Sequence, residues 1–405
     1  MENIRHLKSS MHRKVDSKQT SSIVRHHLPD TSRKNATFRD VWTVVIHRDV
    51  EAIERLEKKW KEFTRDVISP FQTFGWNRAW YEQYGVGECS PFVFELLKNH
   101  TTAAILPCYR KGREIRLAGD EVCDYQDIVS GSEVTVAFAL ARFMEGLRRE
   151  APGSHFVFRK LSSEGKLYQS LVEADVPPDR SIVFAKHFAP CPVVSIAGGL
   201  DGYLSSFSRK TRQDLRRSLN RLKREAPDAE VTICRSSDIR EDTLESAAAF
   251  HSKHFRKDGM GPFQDSRLTT MLTSVARDPD VGLQCAELVD RGEILAVDFG
   301  FVRGGRYFGY LTAFDPAHQK LAPGKCLLLS RIDEWVRKDG VEKLDFLSGD
   351  ESYKRGFTNG DGYEVFSARL MPDDFLHRVN HLALESDKQM RSLAKWSLRK
   401  VGLRS

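Results

Sequence analysis

The chain repeats itself. Laid on its own sequence at an offset of 192, Pro70-Phe71-Gln72 falls on Pro262-Phe263-Gln264, Phe63 on Phe255, Glu95-Leu96 on Glu287-Leu288, Ala104 on Ala296 and Gly112 on Gly304. About fifty residues align without a gap, and Leu97/Val289, Ile105/Val297, Tyr109/Phe301 and Lys111/Arg303 keep the same register conservatively. A repeat of this kind restricts the fold to two copies of one architecture, and 405 residues are enough for two or three domains of ordinary size.

Each copy reads as helix, Pro-Phe-Gln turn, helix, then strands joined by polar turns. The second copy is the clearer. Leu283 to Val289, Ile294 to Val302 and Arg306 to Phe314 alternate with Asp290-Arg291-Gly292 and Arg303-Gly304-Gly305, the pattern of an antiparallel meander with glycine-bearing hairpin turns. Leu327, Leu328, Ile332 and Trp335 then recur at helical spacing up to a stop at Gly340, and Val341 to Leu347 is a further strand. In the first copy, Val41 to Ile46 opens the folded region and Val134 to Arg149 is the matching helix. The expected fold class is α/β, in the α+β sense: tandem domains, each a central, mostly antiparallel mixed sheet flanked by helices.

The expected organisation is a basic disordered tail over 1–37, a first domain over 38–190, a second over 191–375 and a basic helix over 376–405. Sixty-three Lys and Arg against 56 Asp and Glu give a net charge of +7, which suits an anionic ligand without requiring nucleic acid. The seven cysteines are scattered without a C-x-x-C, which argues for reduced residues and against both a disulfide framework and a zinc site. No apolar run is long enough for a membrane span or a signal peptide, so the expected location is the cytoplasm, with peripheral contact at the inner membrane face as an option for the basic segments. His251 and His254 stand three apart on a helix with no third ligand in view, and no metal is expected. Serine-elbow and Walker motifs are absent, which argues against hydrolase and NTPase chemistry.

The copies differ at the loop that follows the meander. In the second, Gln319-Lys320-Leu321-Ala322-Pro323-Gly324-Lys325 joins a strand to a helix start, where small residues let backbone N–H groups approach an anion; a ligand-free Pro-Gly helix start is the alternative. Asp298 interrupts the apolar strand Ile294 to Val302. It is either a general base or amine anchor, or a structural carboxylate bonded to a neighbouring strand or arginine. Asp345 ends another strand. Asp350 and Lys354 are candidates for substrate contact, and Tyr353 for protonating a leaving group. In the first copy, Asp124, Tyr125 and Asp127 suit a cationic or polyhydroxyl acceptor or form an ordinary turn. Leu204 to Arg224 carries eight basic residues around an apolar face of Leu215, Leu219 and Leu222, an amphipathic helix open to three uses: RNA, an anionic membrane, or a solvated connection.

The duplicated layout, Asp124-Tyr125-Gln126-Asp127, the basic stretch Ser208 to Arg217, the Ala322-Pro323-Gly324 loop and Asp345 to Lys354 together resemble one family over about residues 40 to 375. It is the double-domain GNAT-like acyltransferase family of bacterial cellulose or exopolysaccharide biosynthesis, related to the Fem-type aminoacyl transferases. The loop's Q-x-x-A-x-G spacing resembles that superfamily's acyl-CoA loop, with Ala322 in place of a glycine. The resemblance implies a transfer from acyl-CoA to an amine or hydroxyl of a sugar, amino acid or lipid-linked precursor, in a cleft between the copies. Asp298, Tyr353 and Asp345 would do the chemistry. Gln319, Lys320, Ala322, Gly324 and Lys325 would hold the donor, and no DNA is implied. A Fem-type member would take aminoacyl-tRNA as donor instead, and a non-catalytic scaffold would carry a degenerate loop.

Overall fold

The computed structural model describes residues 22–24, 40–87, 89–173, 181–254, 265–351 and 353–372. The basic segment 376–405 and the second Pro-Phe-Gln at Pro262 to Gln264 lie outside the described residues. Of the stretch expected as a structureless tail, Ser22–Val24 (β1) is a strand.

In the first copy, β2 (Trp42–His47), β3 (Ser90–Pro91), β4 (Val93–Lys98), β5 (Thr101–Leu106), β6 (Cys108–Lys111), β7 (Glu114–Leu117), β8 (Val129–Ser130) and β9 (His155–Ser162) are interleaved with helices α1 (Val50–Glu54), α2 (Glu57–Thr64), α3 (Phe74–Tyr84), α4 (Val136–Glu150) and α5 (Lys166–Tyr168). The long strand β10 (Ser181–Ser195) leads into α6 (Gly199–Ser205), α7 (Arg209–Glu225), β11 (Glu230–Arg235), α8 (Glu241–His254) and α9 (Ser266–Ala276). The chain continues through β12 (Leu283–Asp290), β13 (Glu293–Arg303), β14 (Arg306–Phe314), α10 (Pro323–Lys338), β15 (Lys343–Asp345) and β16 (Gly362–Pro372).

The offset of 192 is built into these elements. Helices α3 and α9 match at both ends, Phe74 with Ser266 and Tyr84 with Ala276; β5 and β13 both begin on it, and so do β7 and β14. The hairpin Asn99-His100 has its counterpart in Arg291-Gly292, and all four residues have positive φ, as a two-residue hairpin turn requires. The copies then part: α4 begins at Val136 and α10 at Pro323, only 187 apart, so the first copy's intervening loop is five residues longer.

One residue explains a larger difference. Pro107 lacks an N–H and ends β5, and the chain resumes as β6 in another sheet. Its counterpart Phe299 lies inside the unbroken β13, where the register merely shifts between Phe299 and Gly300. The result is a four-stranded sheet β2-β4-β5-β8 and a twelve-stranded one ordered β11-β12-β13-β14-β15-β10-β16-β9-β7-β6-β3, with β1 added on β10.

That order also shows what surrounds the expected boundary at 190/191. It falls inside β10, whose residues Ser181–Pro192 pair with β16 and whose Val193–Ser195 pair with β15. Strand β16 in turn pairs with β9, so the second copy's last strand is woven into the first copy's sheet. The core follows suit. One buried cluster holds Phe71, Trp76 and Tyr125 of the first copy together with Phe299, Phe301 and Phe308 of the second, Phe71 and Phe301 meeting edge to face at 5.8 Å.

Candidate active site

Strands β14 and β15 run parallel for three residues, Arg306–Phe308 against Lys343–Asp345, and their pairing stops there. Beyond Phe308, β14 continues through Phe314 bonded to β13, with a register shift that skips Tyr310 as a bulge. The chain after β15 turns the other way: the Phe346 N–H donates to Pro192 O and the Gly349 N–H to Pro190 O. The two strands part here in a wedge, where among the described residues no strand pairs with this edge of β14 beyond Phe308, and the N-terminus of α10 packs beside it.

Ala322, at φ 51° and ψ 52°, precedes α10 with no side chain capping the first turn. Left-handed backbone at a non-glycine residue costs energy, and it aims the first free N–H groups of the helix outward. Space at Gly324 is tight, since a Cβ there would lie 3.1 Å from the Thr312 methyl. Gln319 and Lys320 are exposed, Ala322 and Lys325 half-buried, and Arg221 of α7 donates to Lys320 O at 2.7 Å. The expected donor residues are therefore together at one rim of the wedge. At the base of the same turn Glu293, Asp315 and His318 bring their ligand atoms within 4.8 Å of one another at the surface.

Asp298 lies behind this rim, almost fully buried. Its Oδ2 accepts from Arg331 Nη1 at 2.7 Å and from the Tyr307 hydroxyl, and its Oδ1 accepts from Thr312 Oγ1 at 2.6 Å. Burial raises its pKa, and Arg331 and the two hydroxyls pull it back. Arg331 also donates to Gln284 at 3.1 Å and stacks over Trp335 at 4.2 Å. A carboxylate held this way by an arginine and two hydroxyls fits the structural alternative for Asp298 better than the general base.

Asp345 is the hub of the seam between the copies. It accepts from Tyr125 of the first copy at 2.5 Å, from Tyr363 of β16, and from the Leu347 N–H at 2.9 Å, with Arg306 Nη1 at 3.9 Å. Burial pushes its pKa to about 6 despite these partners. Asp345 thus acts on the site through the tyrosines it orients. Tyr125 has φ 52°, and its carbonyl accepts from Gln72, so the Pro-Phe-Gln motif fixes the loop that presents it. Asp124 accepts from Ser348 Oγ and pairs with Lys160 at 3.0 Å. Lys354 is buried and binds Ser348 O at 3.0 Å and Glu351 at 2.8 Å, which places its ammonium under the 347–351 turn. Tyr310, the bulged residue, donates to Val122 O at 2.7 Å.

Three expected site residues behave otherwise. Asp127 accepts from the N–H groups of Ile128, Lys166 and Leu167, each at 2.8 Å; half-buried, it anchors the loop to the helix start, which fits the ordinary-turn alternative. Asp350 pairs with Arg355 at 2.8 Å on the surface. Tyr353 is 57% exposed, and desolvation, then the charges of Glu351 and Asp298, push its pKa up to about 12. It is a phenol that keeps its proton at neutral pH. Sequence reading passed over Thr312, Arg331, Tyr363, Arg306 and Lys160, although Arg331 sits four residues from both Leu327 and Trp335 on the apolar stripe of α10.

The first copy has the same short parallel pairing, Glu114–Arg116 against His155–Val157, and the same opening beyond it. There the opening is closed. Gln126 bridges to Leu161; its backbone N–H donates to Lys160 O at 3.0 Å, its Nε2 to Leu117 O at 3.3 Å, and its Oε1 accepts from the Arg159 N–H at 3.1 Å. The wedge survives in the second copy and is plugged in the first.

Residues 209–355 match the model of the acetyltransferase (GNAT) domain. The chain carries a GNAT-type acyltransferase domain. No curated protein matches the sequence. Among solved structures it resembles a conserved protein of unknown function from Bacteroides thetaiotaomicron VPI-5482, at 15% identity over 81% of this chain and 100% of that one, with a TM-score of 0.52. It also resembles L-PGS from Bacillus licheniformis (12% identity, 85% and 97% covered, TM-score 0.53) and FemX (10% identity, 83% and 99% covered, TM-score 0.51). At these identities the likeness is one of fold. It extends over both copies, whereas the GNAT domain match lies in the second, which holds the open wedge and the uncapped helix. Among the described residues no helix is long and apolar enough to cross a membrane.

Proposed function

We propose that this GNAT-type enzyme moves an acyl group from acyl-CoA to an amine or hydroxyl of a sugar, amino acid or lipid-linked precursor, with one donor site per chain. The observation that carries this reading is the contrast between the wedges. The opening beside β14 adjoins the free N-terminus of α10, while its counterpart in the first copy is filled by Gln126. The donor's phosphates would lie on the first N–H groups of α10 with Gln319, Lys320 and Lys325 at the rim, and its thioester arm would run along the free edge of β14.

The acceptor would approach across the seam, where Tyr125, Asp124 and Ser348 converge. Its nitrogen or oxygen would attack the thioester carbonyl directly, breaking the C–S bond and releasing a thiolate. Tyr353, protonated at neutral pH, would supply the proton to that sulfur, and the proton lost by the attacking nitrogen or oxygen would return through water to the phenolate and restore it. Cys326 is buried and its thiol pKa is pushed up to about 11 by burial, so it is not an acyl carrier. The 38–190 and 191–375 units serve as acceptor and donor halves of one cleft in this reading, with β10 and β16 binding them together.

The test is a thermal-shift and calorimetric panel of acetyl-, succinyl- and long-chain acyl-CoA. Wild type should be stabilised, by about 2.7 kcal/mol at a concentration 100 times Kd, and Gly324→Trp, which fills the space beside Thr312, should not be. Equal stabilisation of both proteins would mean that the donor binds elsewhere.

A second reading has its own support. Helix α7 carries eight basic residues, seven of them exposed, beside the donor loop that its Arg221 holds, and such a surface suits the polyanion of an aminoacyl-tRNA donor. Donor binding that falls steeply with salt and needs Arg212, Arg216 and Arg217 would favour it. Membership in cellulose or exopolysaccharide biosynthesis remains a proposal drawn from the sequence resemblance, and attachment at a membrane face through the basic segments is a further part of that proposal.

A further inference from the structure

Thr312 stands on the unpaired edge of β14, exposed at the wedge, with its methyl group against Gly324 at the start of α10. Its hydroxyl carries a single proton and two lone pairs. That proton is committed: Oγ1 donates to Asp298 Oδ1 at 2.6 Å. Asp298 cannot release it for another partner, because Arg331 Nη1 and the Tyr307 hydroxyl both converge on Oδ2 and leave Oδ1 as the oxygen that takes the Thr312 proton. Arg331, completely buried and pinned as well to Gln284, holds the carboxylate in place, so that its Oδ1 stays turned to Thr312. With its proton turned to Asp298, the hydroxyl is left with its lone pairs for any further partner. It offers lone pairs and no proton.

We infer that Thr312 is a specificity residue of the donor seat, held by Asp298 and Arg331 as a hydrogen-bond acceptor for an amide N–H in the arm of the acyl donor. The inference rests on the acyl-CoA reading. A ligand carbonyl at this point would face lone pairs, whereas an N–H is satisfied. The location selects which part of the ligand it is: Thr312 touches the glycine at the helix N-terminus proposed for the phosphates, so the matching group lies in the stretch of arm next to them. Asp298 and Arg331 act through Thr312 and are positioning residues.

Calorimetric binding of coenzyme A tests this with no acceptor present. Thr312→Val, which keeps the shape and removes the lone pairs, should weaken binding about fivefold to tenfold, as loss of one hydrogen bond does, and Thr312→Ser should stay within about twofold. Analogues of coenzyme A in which each amide in turn is replaced by an ester supply the second arm. One of them should bind wild type about fivefold to tenfold more weakly and bind Thr312→Val no worse than coenzyme A does. Unfolding curves should show each variant folded at the assay temperature; if Thr312→Val is not, the wild-type comparison of the analogues decides alone. Equal binding of all analogues to wild type would overturn the inference. So would a Thr312→Val protein that binds coenzyme A normally and instead shows a raised acceptor KM, which would give the N–H to the acceptor. Failure of wild type to bind coenzyme A at all would remove the acyl-CoA reading and the inference together, whereas normal binding by Thr312→Val removes only the inference.

Discussion

Arg331 Nη1 lies 2.7 Å from Asp298 Oδ2, and neither side chain reaches solvent. The pair joins the middle of α10 to the middle of β13, and so fixes the helix that carries the donor loop against the sheet that carries the free edge. Buried pairs of this kind contribute less than their contact suggests, but removing one partner strands the other charge. Arg331→Met should therefore cost about 3 to 5 kcal/mol in urea unfolding, and the double change Arg331→Met with Asp298→Val should recover most of it. A single variant as stable as wild type would show that the pair is not closed in solution.

Asp345 gives a pH signature. Burial raises its pKa from the usual 3.8 to about 6, so folding takes up a proton in that window. Its contribution favours the folded state at low pH and is lost as pH rises from about 4 to 6, a change on the order of 3 kcal/mol for a shift of roughly two units. Asp345→Asn cannot titrate and keeps an oxygen for Tyr125. Its unfolding free energy, followed from pH 4 to 7, should lack that decline; an unchanged pH profile would mean that Asp345 is already ionised at acidic pH.

Much of the scaffold was legible, because a repeat at a constant offset reports paired elements whatever they pack against. The β12, β13 and β14 meander, α10 and the Ala322-Pro323-Gly324 corner stand where the hydrophobic period and the turn residues put them. The weaving of β16 between β9 and β10 was not legible, since it depends on pairing between strands some 200 residues apart. The site divides in the same way. Asp298 stood out as a charge in an apolar strand and Arg331 on the stripe of α10 did not, because neither a strand period nor a helix period says that two such charges meet. Tyr125 and Asp345 looked like members of separate sites, and only the seam makes them partners at 2.5 Å.

Asp127 separates structural from substrate roles. Three backbone N–H groups depend on its carboxylate, at Ile128, Lys166 and Leu167. Asp127→Ala leaves them without that acceptor and should lower stability by about 1 to 3 kcal/mol in chemical denaturation. Below the unfolding transition the acceptor KM should stay within about twofold of wild type. A large rise in KM with unchanged stability would restore Asp127 to the substrate.

The last prediction concerns the basic helix. Arg216 and Arg217 point to solvent with local acidic partners, Asp201 at 3.4 Å and Asp214 at 2.6 Å, and surface pairs of this sort hold little energy. Arg221 differs in that its guanidinium is bonded to the donor loop itself, at Lys320 O. If the donor is acyl-CoA, changing Arg212, Arg216 and Arg217 to Glu should alter its Kd only a few fold, chiefly at low salt where long-range attraction is unscreened. Arg221→Ala should weaken binding at all salt concentrations by loosening the loop. Opposite behaviour, with binding lost in the triple variant and a steep dependence on salt in wild type, would identify a polyanionic donor of the aminoacyl-tRNA kind, because releasing counterions from many phosphates gives a far steeper slope than one small ligand can.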